Sequence, residues 1–189
     1  MTSHFMRPQP SLPPGLQLPV CEKGIGTVIF SPDGDGFIEG VQAMPYALWP
    51  DDRGYFLEVA RTGRGLLAGR TTETLQVSAA LSYPGSIKAF HYHTQQTDFW
   101  AAAMGMLQVA LVDLRYGSPT FGVRNTFYVG MLRPWQIAIP PGVAHGYKVL
   151  GVNPAMLIYI TDRFYDPDDE GRLPYDDPRI NYDWATQHK

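Results

Sequence analysis

A single cysteine, Cys21, stands in this chain of 189 residues. That excludes an internal disulfide framework and a zinc site built on several thiolates. It fits a reducing compartment. A surplus of positive charge is also missing: 15 basic and 18 acidic side chains leave a net charge of −3. Nothing here holds a nucleic-acid backbone, so nucleic acid is excluded as the expected partner. No apolar run approaches the ~20 residues of a membrane span. The opening stretch, MTSHFMRPQPSLPPGLQLPV, lacks the apolar core of a secretory signal. A cytoplasmic protein with no membrane partner is the expectation. Charged residues are scarce at 17%, whereas glycine and proline number 19 and 17. Such a chain has many turns and few long surface helices, which points to an all-β protein. The length suits one domain, able to bury roughly 70% of its unfolded surface without a staple.

Residues 1–24 read as a Pro-rich N-terminal arm, with Pro8, Pro10, Pro13, Pro14 and Pro19 removing donors and fixing φ. An irregular arm, loose or laid on a neighbouring subunit, is expected. Residues 25–189 read as a single domain. Short apolar or alternating runs recur there: YFLEVA from Tyr55, TLQVSAAL from Thr74, SIKAFHY from Ser86 and MLQVALVDL from Met106. RNTFYVG from Arg124, WQIAI from Trp135 and MLIYITDRFY from Met156 continue the series. Pro-Gly, Gly-Ser-Pro, Pro-Pro-Gly and Asn-Pro punctuate them. This spacing predicts an antiparallel sandwich or barrel. MLQVALVDL is nearly continuous in apolar residues, so both of its faces should be covered. A short helix or loop is expected near Val59–Ala68, and a brief helical turn near Asp183–His188. The acidic run Asp166–Glu170 lacks the spaced ligands of a calcium loop and reads as solvated. Tyr92, Phe99, Trp100 and Trp135 read as core or pocket wall.

Two of the five histidines, His4 and His188, lie in the tails. The other three fall in two motifs, Gly85-SIKAF-His91-Tyr-His93-TQQT-Asp98-FWAAAM-Gly105 and Pro140-Pro-Gly142-Val-Ala-His145. His91 and His93, two apart, share one face of a strand. A closed barrel would bring Asp98 and His145 to them. Two chemistries fit. Three imidazoles and a carboxylate form a ligand set for one divalent ion, Fe, Mn, Ni or Zn, through His91, His93, Asp98 and His145. Alternatively, one histidine works as a general base, oriented by its neighbours.

These motifs resemble the two signatures of the cupin superfamily, with Asp98 in place of a glutamate and Val149 in place of a closing asparagine. The implied fold is a cupin double-stranded β-helix, a jelly-roll barrel of antiparallel strands. From about residue 51 to 184 the chain resembles more narrowly the dTDP-4-dehydrorhamnose 3,5-epimerase family. The matching stretches include Asp-Asp-Arg53-Gly54-Tyr-Phe-Leu-Glu58, Gln76, Phe90-His91-Tyr92 and Val112-Asp113-Leu114-Arg115. Ile139-Pro-x-Gly-x-Ala-His145-Gly146, Tyr159-Ile-Thr161 and Asp177-Pro178-x-Ile180 complete them. The resemblance implies a nucleotide-sugar epimerase that removes protons beside the C4 ketone of a 4-keto-6-deoxy sugar. It makes His91 the base and Tyr159 the acid on the opposite face. It assigns Arg53, Glu58, Gln76, Lys88 and His145 to substrate binding, with no cofactor. It further implies a homodimer whose pocket draws on both chains.

This chain departs from the family pattern at named positions. His93 stands for a glutamine, and Asp98 for the lysine that would stabilise the enolate. Phe164, before Tyr165, replaces one tyrosine of a pair, and the C-terminal aspartate that supports the base has no counterpart after Trp184. Lys88 keeps the charge of an arginine without its fork; on a regular strand it would point away from His91, unless a bulge intervenes. Besides the epimerase, two readings therefore stand. One is a metal-dependent cupin isomerase or oxygenase using His91, His93, Asp98 and His145. The other is a non-catalytic sugar-binding cupin.

Overall fold

The computed structural model describes residues 12–187; His4, Pro8, Pro10 and His188 lie outside the described residues. The strands are β1 (Thr27–Val28), β2 (Gln42–Pro45), β3 (Leu48–Asp51), β4 (Gly54–Leu57), β5 (Gln76–Ser82), β6 (Ile87–His93), β7 (Asp98–Met104), β8 (Met106–Asp113), β9 (Arg124–Gly130), β10 (Trp135–Ile139), β11 (Val143–Leu150), β12 (Ala155–Thr161) and β13 (Glu170–Arg172). One sheet runs β1-β9-β8-β11-β6-β13, and the other β2-β10-β7-β12-β5. The pairings within both are antiparallel, apart from β1 on β9. A separate hairpin, β3–β4, stands beside them. This is the all-β cupin jelly roll that the sequence implied.

Period-two alternation divides the six-stranded sheet into two apolar faces. Leu107, Val109 and Leu111 of β8 point inward, against Ile137 and Ile139 of β10 and Leu157 of β12. Ala110 and Val112 of β8 point outward, with Phe90 and Tyr92 of β6. Leu173, Ile180, Tyr182 and Trp184 cover that outer face, helped by Leu12, Leu16 and Leu18. The continuous apolar run of β8 is thus explained: both its faces are buried.

Two expectations change here, while the loop or short helix expected near Val59–Ala68 is met. The described part of the arm lies on its own chain: the Gln17 N–H donates to the Leu114 carbonyl at 2.8 Å, and Leu16 bridges Arg115. In the 59–68 stretch only a 3-10 turn forms, Gly65–Leu67. Residues 183–187 hold no helical turn; the Trp184 side chain is buried, with its indole N–H donating to the Tyr175 carbonyl at 2.9 Å.

The pairing of β6 with β11 contains a bulge that positions the site. His145 faces His91 and Tyr147 faces Lys88. One residue, Gly146, therefore opposes the two residues Ala89 and Phe90. Only glycine fits there, since a Cβ on Gly146 would lie 2.2 Å from that of Ala89.

Candidate active site

A cavity of about 600 Å³ opens between the two sheets. His91 and His93 reach it from β6, Gln76 from β5, Trp100 from β7 and Tyr159 from β12. His91 and Tyr159 stand on opposite walls. Lys88 lines the cavity as well. The bulge puts it on the same strand face as His91, opposite the inward-facing Tyr147, although the two are three residues apart. Arg172, paired opposite His91 on β13, adds a second cation, held by Glu170 at 2.6 Å.

At the cavity wall and just behind it, four side chains converge, with His91 and His93 on the wall and Asp98 and His145 behind. Potential ligand atoms of His91, His93, Asp98 and His145 lie within 4.8 Å of one another. Asp98 begins β7, and His145 pairs opposite His91 on β11, with ring centroids 4.1 Å apart. Asp98 is 2% exposed. It accepts from the Gln96 amide at 2.7 Å and from the Trp100 indole N–H at 3.0 Å. His145 Nε2 lies 3.4 Å from Asp98 Oδ2 without the alignment of a hydrogen bond. Burial alone would raise the Asp98 carboxyl. The three imidazoles, His145 first, outweigh it and hold Asp98 well below the usual carboxylate range. Burial, then the neighbouring His145, pushes His91 well below the ordinary histidine value, against the opposing pull of Asp98. His91 is therefore a neutral imidazole with a free lone pair near pH 7.

The acidic run is not wholly solvated. Asp169 is buried, and its carboxylate accepts from the backbone N–H groups of Thr94, Gln95 and Gln96 at 2.8, 2.9 and 3.0 Å. The Thr94 hydroxyl donates to it too. It clamps the turn between His93 and Asp98, and its other oxygen stands 3.8 Å from His93 Nδ1.

Arg53 and Glu58 are placed elsewhere. Both are exposed on or just after the β3–β4 hairpin, paired with Asp51 and Arg61, and outside this chain's cavity. Gln76 lines the cavity and accepts from the Tyr165 N–H at 3.0 Å; Phe164 is exposed. Of the aromatics, Phe99 and Trp135 are core, Tyr92 packs the outer face, and Trp100 is cavity wall. Sequence reasoning missed Gln96, Asp169, Glu170 and Arg172. Only Asp169 and Glu170 carried a signal, as part of an acidic run beside a strand.

Comparison with known proteins follows the same lines. A family model described as dTDP-4-dehydrorhamnose 3,5-epimerase matches residues 36–189. The spore coat polysaccharide biosynthesis protein SpsL of Bacillus subtilis is 44% identical over 154 residues, covering 80% of this chain and 99% of SpsL. A dTDP sugar isomerase from Desulfovibrio desulfuricans superposes with a TM-score of 0.71 at 27% identity, covering 80% of this chain and 94% of that one. The dTDP-6-deoxy-D-glucose-3,5-epimerase of Legionella pneumophila, solved with dTDP-4-keto-L-rhamnose, gives 0.68 at 30% identity, covering 80% and 82%.

Proposed function

The chain belongs to the dTDP-4-dehydrorhamnose 3,5-epimerase family, and from that premise we propose that it inverts carbon centres beside the C4 ketone of a nucleotide-linked 4-keto-6-deoxy sugar. A hydrogen next to a ketone is acidic because the resulting anion spreads onto oxygen as an enolate. Inversion needs a base on one face of the sugar and a proton donor on the other. The observation that carries this reading is the placement of His91 and Tyr159 on opposite walls of one cavity. Neutral His91 takes the proton; the Tyr159 hydroxyl returns one from the far side. Gln76 helps fix the sugar from the cavity wall, whereas His145, expected from the sequence to bind substrate, is buried outside the cavity lining and packs against His91 instead. Lys88, with Arg172 beside the base, gives the wall positive charge for the diphosphate. Both steps move protons, so neither calls for a redox cofactor.

The assembly we propose is a homodimer in which Arg53 and Glu58 reach the cavity of the second copy. Their position on an exposed hairpin, away from their own cavity, supports this. We place the protein in the cytoplasm; among the described residues no helix is long and apolar enough to cross a membrane.

Incubation with a dTDP-4-keto-6-deoxyhexose in deuterium oxide, followed by NMR, tests the chemistry. Wild-type protein should exchange hydrogen at carbons flanking the ketone and invert at least one. His91→Asn should lose both by about 10²-fold or more. Tyr159→Phe should still exchange but invert poorly, because only the return proton is missing. Full exchange by His91→Asn would refute the assignment of the base.

A further inference from the structure

Once a proton leaves a carbon beside the ketone, negative charge collects on the C4 oxygen. A site that speeds this step holds a cation or donors where that oxygen lies. The Asp98 carboxylate, buried behind the wall, has the wrong sign for this. Among the described residues, two side chains of positive charge other than histidine line the cavity, Lys88 and Arg172. Both add to the field that draws in the diphosphate, but their places differ. β13 lies antiparallel on β6, and there Phe90 and Leu173 exchange both backbone hydrogen bonds, each at 2.9 Å. The next pair along, His91 and Arg172, is therefore a non-hydrogen-bonded pair. The Cα atoms of such a pair stand about 4.5 Å apart, and its side chains meet on one face. Here that face is the cavity side, since both residues line it. Lys88, three residues before His91 and opposite Tyr147, stands further along the wall.

Arg172 is also held in place. Its Nε donates to Glu170 Oε1 at 2.6 Å, from two residues along the same strand face, and Glu170 lines the cavity too. The Arg172 side chain is otherwise 79% exposed. That bond leaves the two terminal nitrogens of the guanidinium, and their N–H donors, without a partner among the described residues.

We propose that Arg172 is a catalytic residue of the epimerisation, its guanidinium donating to the C4 oxygen as the enolate forms beside His91. The inference rests on the epimerase reading. As His91 takes the proton, the electron pair of the C–H bond becomes the carbon–carbon π bond, and the carbonyl π pair moves to oxygen. Arg172 keeps all its protons and offsets the new charge. When Tyr159 returns a proton to carbon from the other face, the pairs move back and the oxygen is again a carbonyl. Arginine suits the place because it stays charged and presents its donors as a planar fork. Glu170 is a positioning residue that keeps the fork beside the base.

Two measurements on the full-length protein separate this role from phosphate binding. Affinity for dTDP, which has the diphosphate but no sugar, is read by titration calorimetry. Exchange of the hydrogens flanking the ketone is read by NMR in deuterium oxide at saturating dTDP-4-keto-6-deoxyhexose. Arg172→Met, checked for fold by its melting temperature, should lose exchange by about 10²-fold. It should bind dTDP within about threefold of wild type. Arg172→Lys keeps the charge without the fork and should retain more exchange than Arg172→Met. Added guanidinium should restore part of the exchange in Arg172→Ala, a recovery that a purely structural defect would not show. Exchange by Arg172→Met within about threefold of wild type overturns the assignment. So does a loss of dTDP affinity as large as the loss of exchange, which would make Arg172 a phosphate ligand. Either result, with wild type active, leaves the epimerase reading intact. No exchange by wild type, with dTDP bound, refutes that reading and this inference with it.

Discussion

His91 must be unprotonated to accept a proton, and its surroundings arrange this without a tight aspartate partner. Burial strips water from the ring, and His145 disfavours a second charge; Asp98 opposes them and loses. As pH falls through the His91 pKa the imidazole gains a proton, its lone pair disappears, and turnover falls with it. Above that pKa His91 stays available as the base. Because the pKa lies well below about 6.5, the acid limb of kcat/KM is expected below that value. Asp98 does not set this limb, since its carboxyl, held well below the usual carboxylate range, stays ionised throughout the range scanned. A pH–rate profile over about pH 4.5–8.5 checks this; an acid limb at about 6.5 or above would contradict a buried neutral base. The residue types were legible in the sequence because the chemistry is local: a His-x-His pair shares one strand face whatever surrounds it. Gln96 was not legible, because an amide in a turn acquires meaning only from what it touches.

At the scale of elements, two devices hold the site. The β6–β11 bulge turns Lys88 to the side of His91, and Gly146 makes room for it. The second is the turn from β6 to β7. Its backbone donors at 94–96 all end on the buried Asp169 carboxylate, brought by the start of β13. Asp169→Ala would leave those donors without an acceptor, at a cost of about 3 kcal/mol. For a domain of this size that lowers the melting temperature by about 6–12 °C. Asp169→Asn keeps one acceptor oxygen and should lose less. Calorimetry reads both; an Asp169→Ala melting point within about 2 °C of wild type would show that the clamp carries little. Strands with long alternating or apolar runs, such as β8, β9 and β10, were readable from period and composition. β13 was not: its sequence, Glu-Gly-Arg, has no alternation, and it is a strand through its pairing with β6, where Gly171 leaves room for the Tyr92 ring that a Cβ would meet at 2.0 Å. The bulge left only one trace, a glycine after His145.

At the scale of the whole molecule, two exposed apolar surfaces among the described residues bear on assembly. Trp49 and Phe56 stack at 5.6 Å on the β3–β4 hairpin and are 53% and 67% exposed. On β5, one edge of the five-stranded sheet, Val77, Leu81 and the following Tyr83 are 68%, 51% and 72% exposed. An apolar edge invites another strand, and an aromatic hairpin carrying Arg53 is a suitable visitor from a second copy. A two-fold pair makes the exchange reciprocal. The expected solution mass is twice 21.1 kDa. The sharper test is complementation. Arg53→Ala and His91→Asn each impair every site of their own homodimer. When the two are co-expressed, half the dimers are mixed, and each mixed dimer has one site with both residues intact. Activity should return to about a quarter of wild type. If Arg53 served only its own chain, every site would still lack one residue, and mixing would restore nothing.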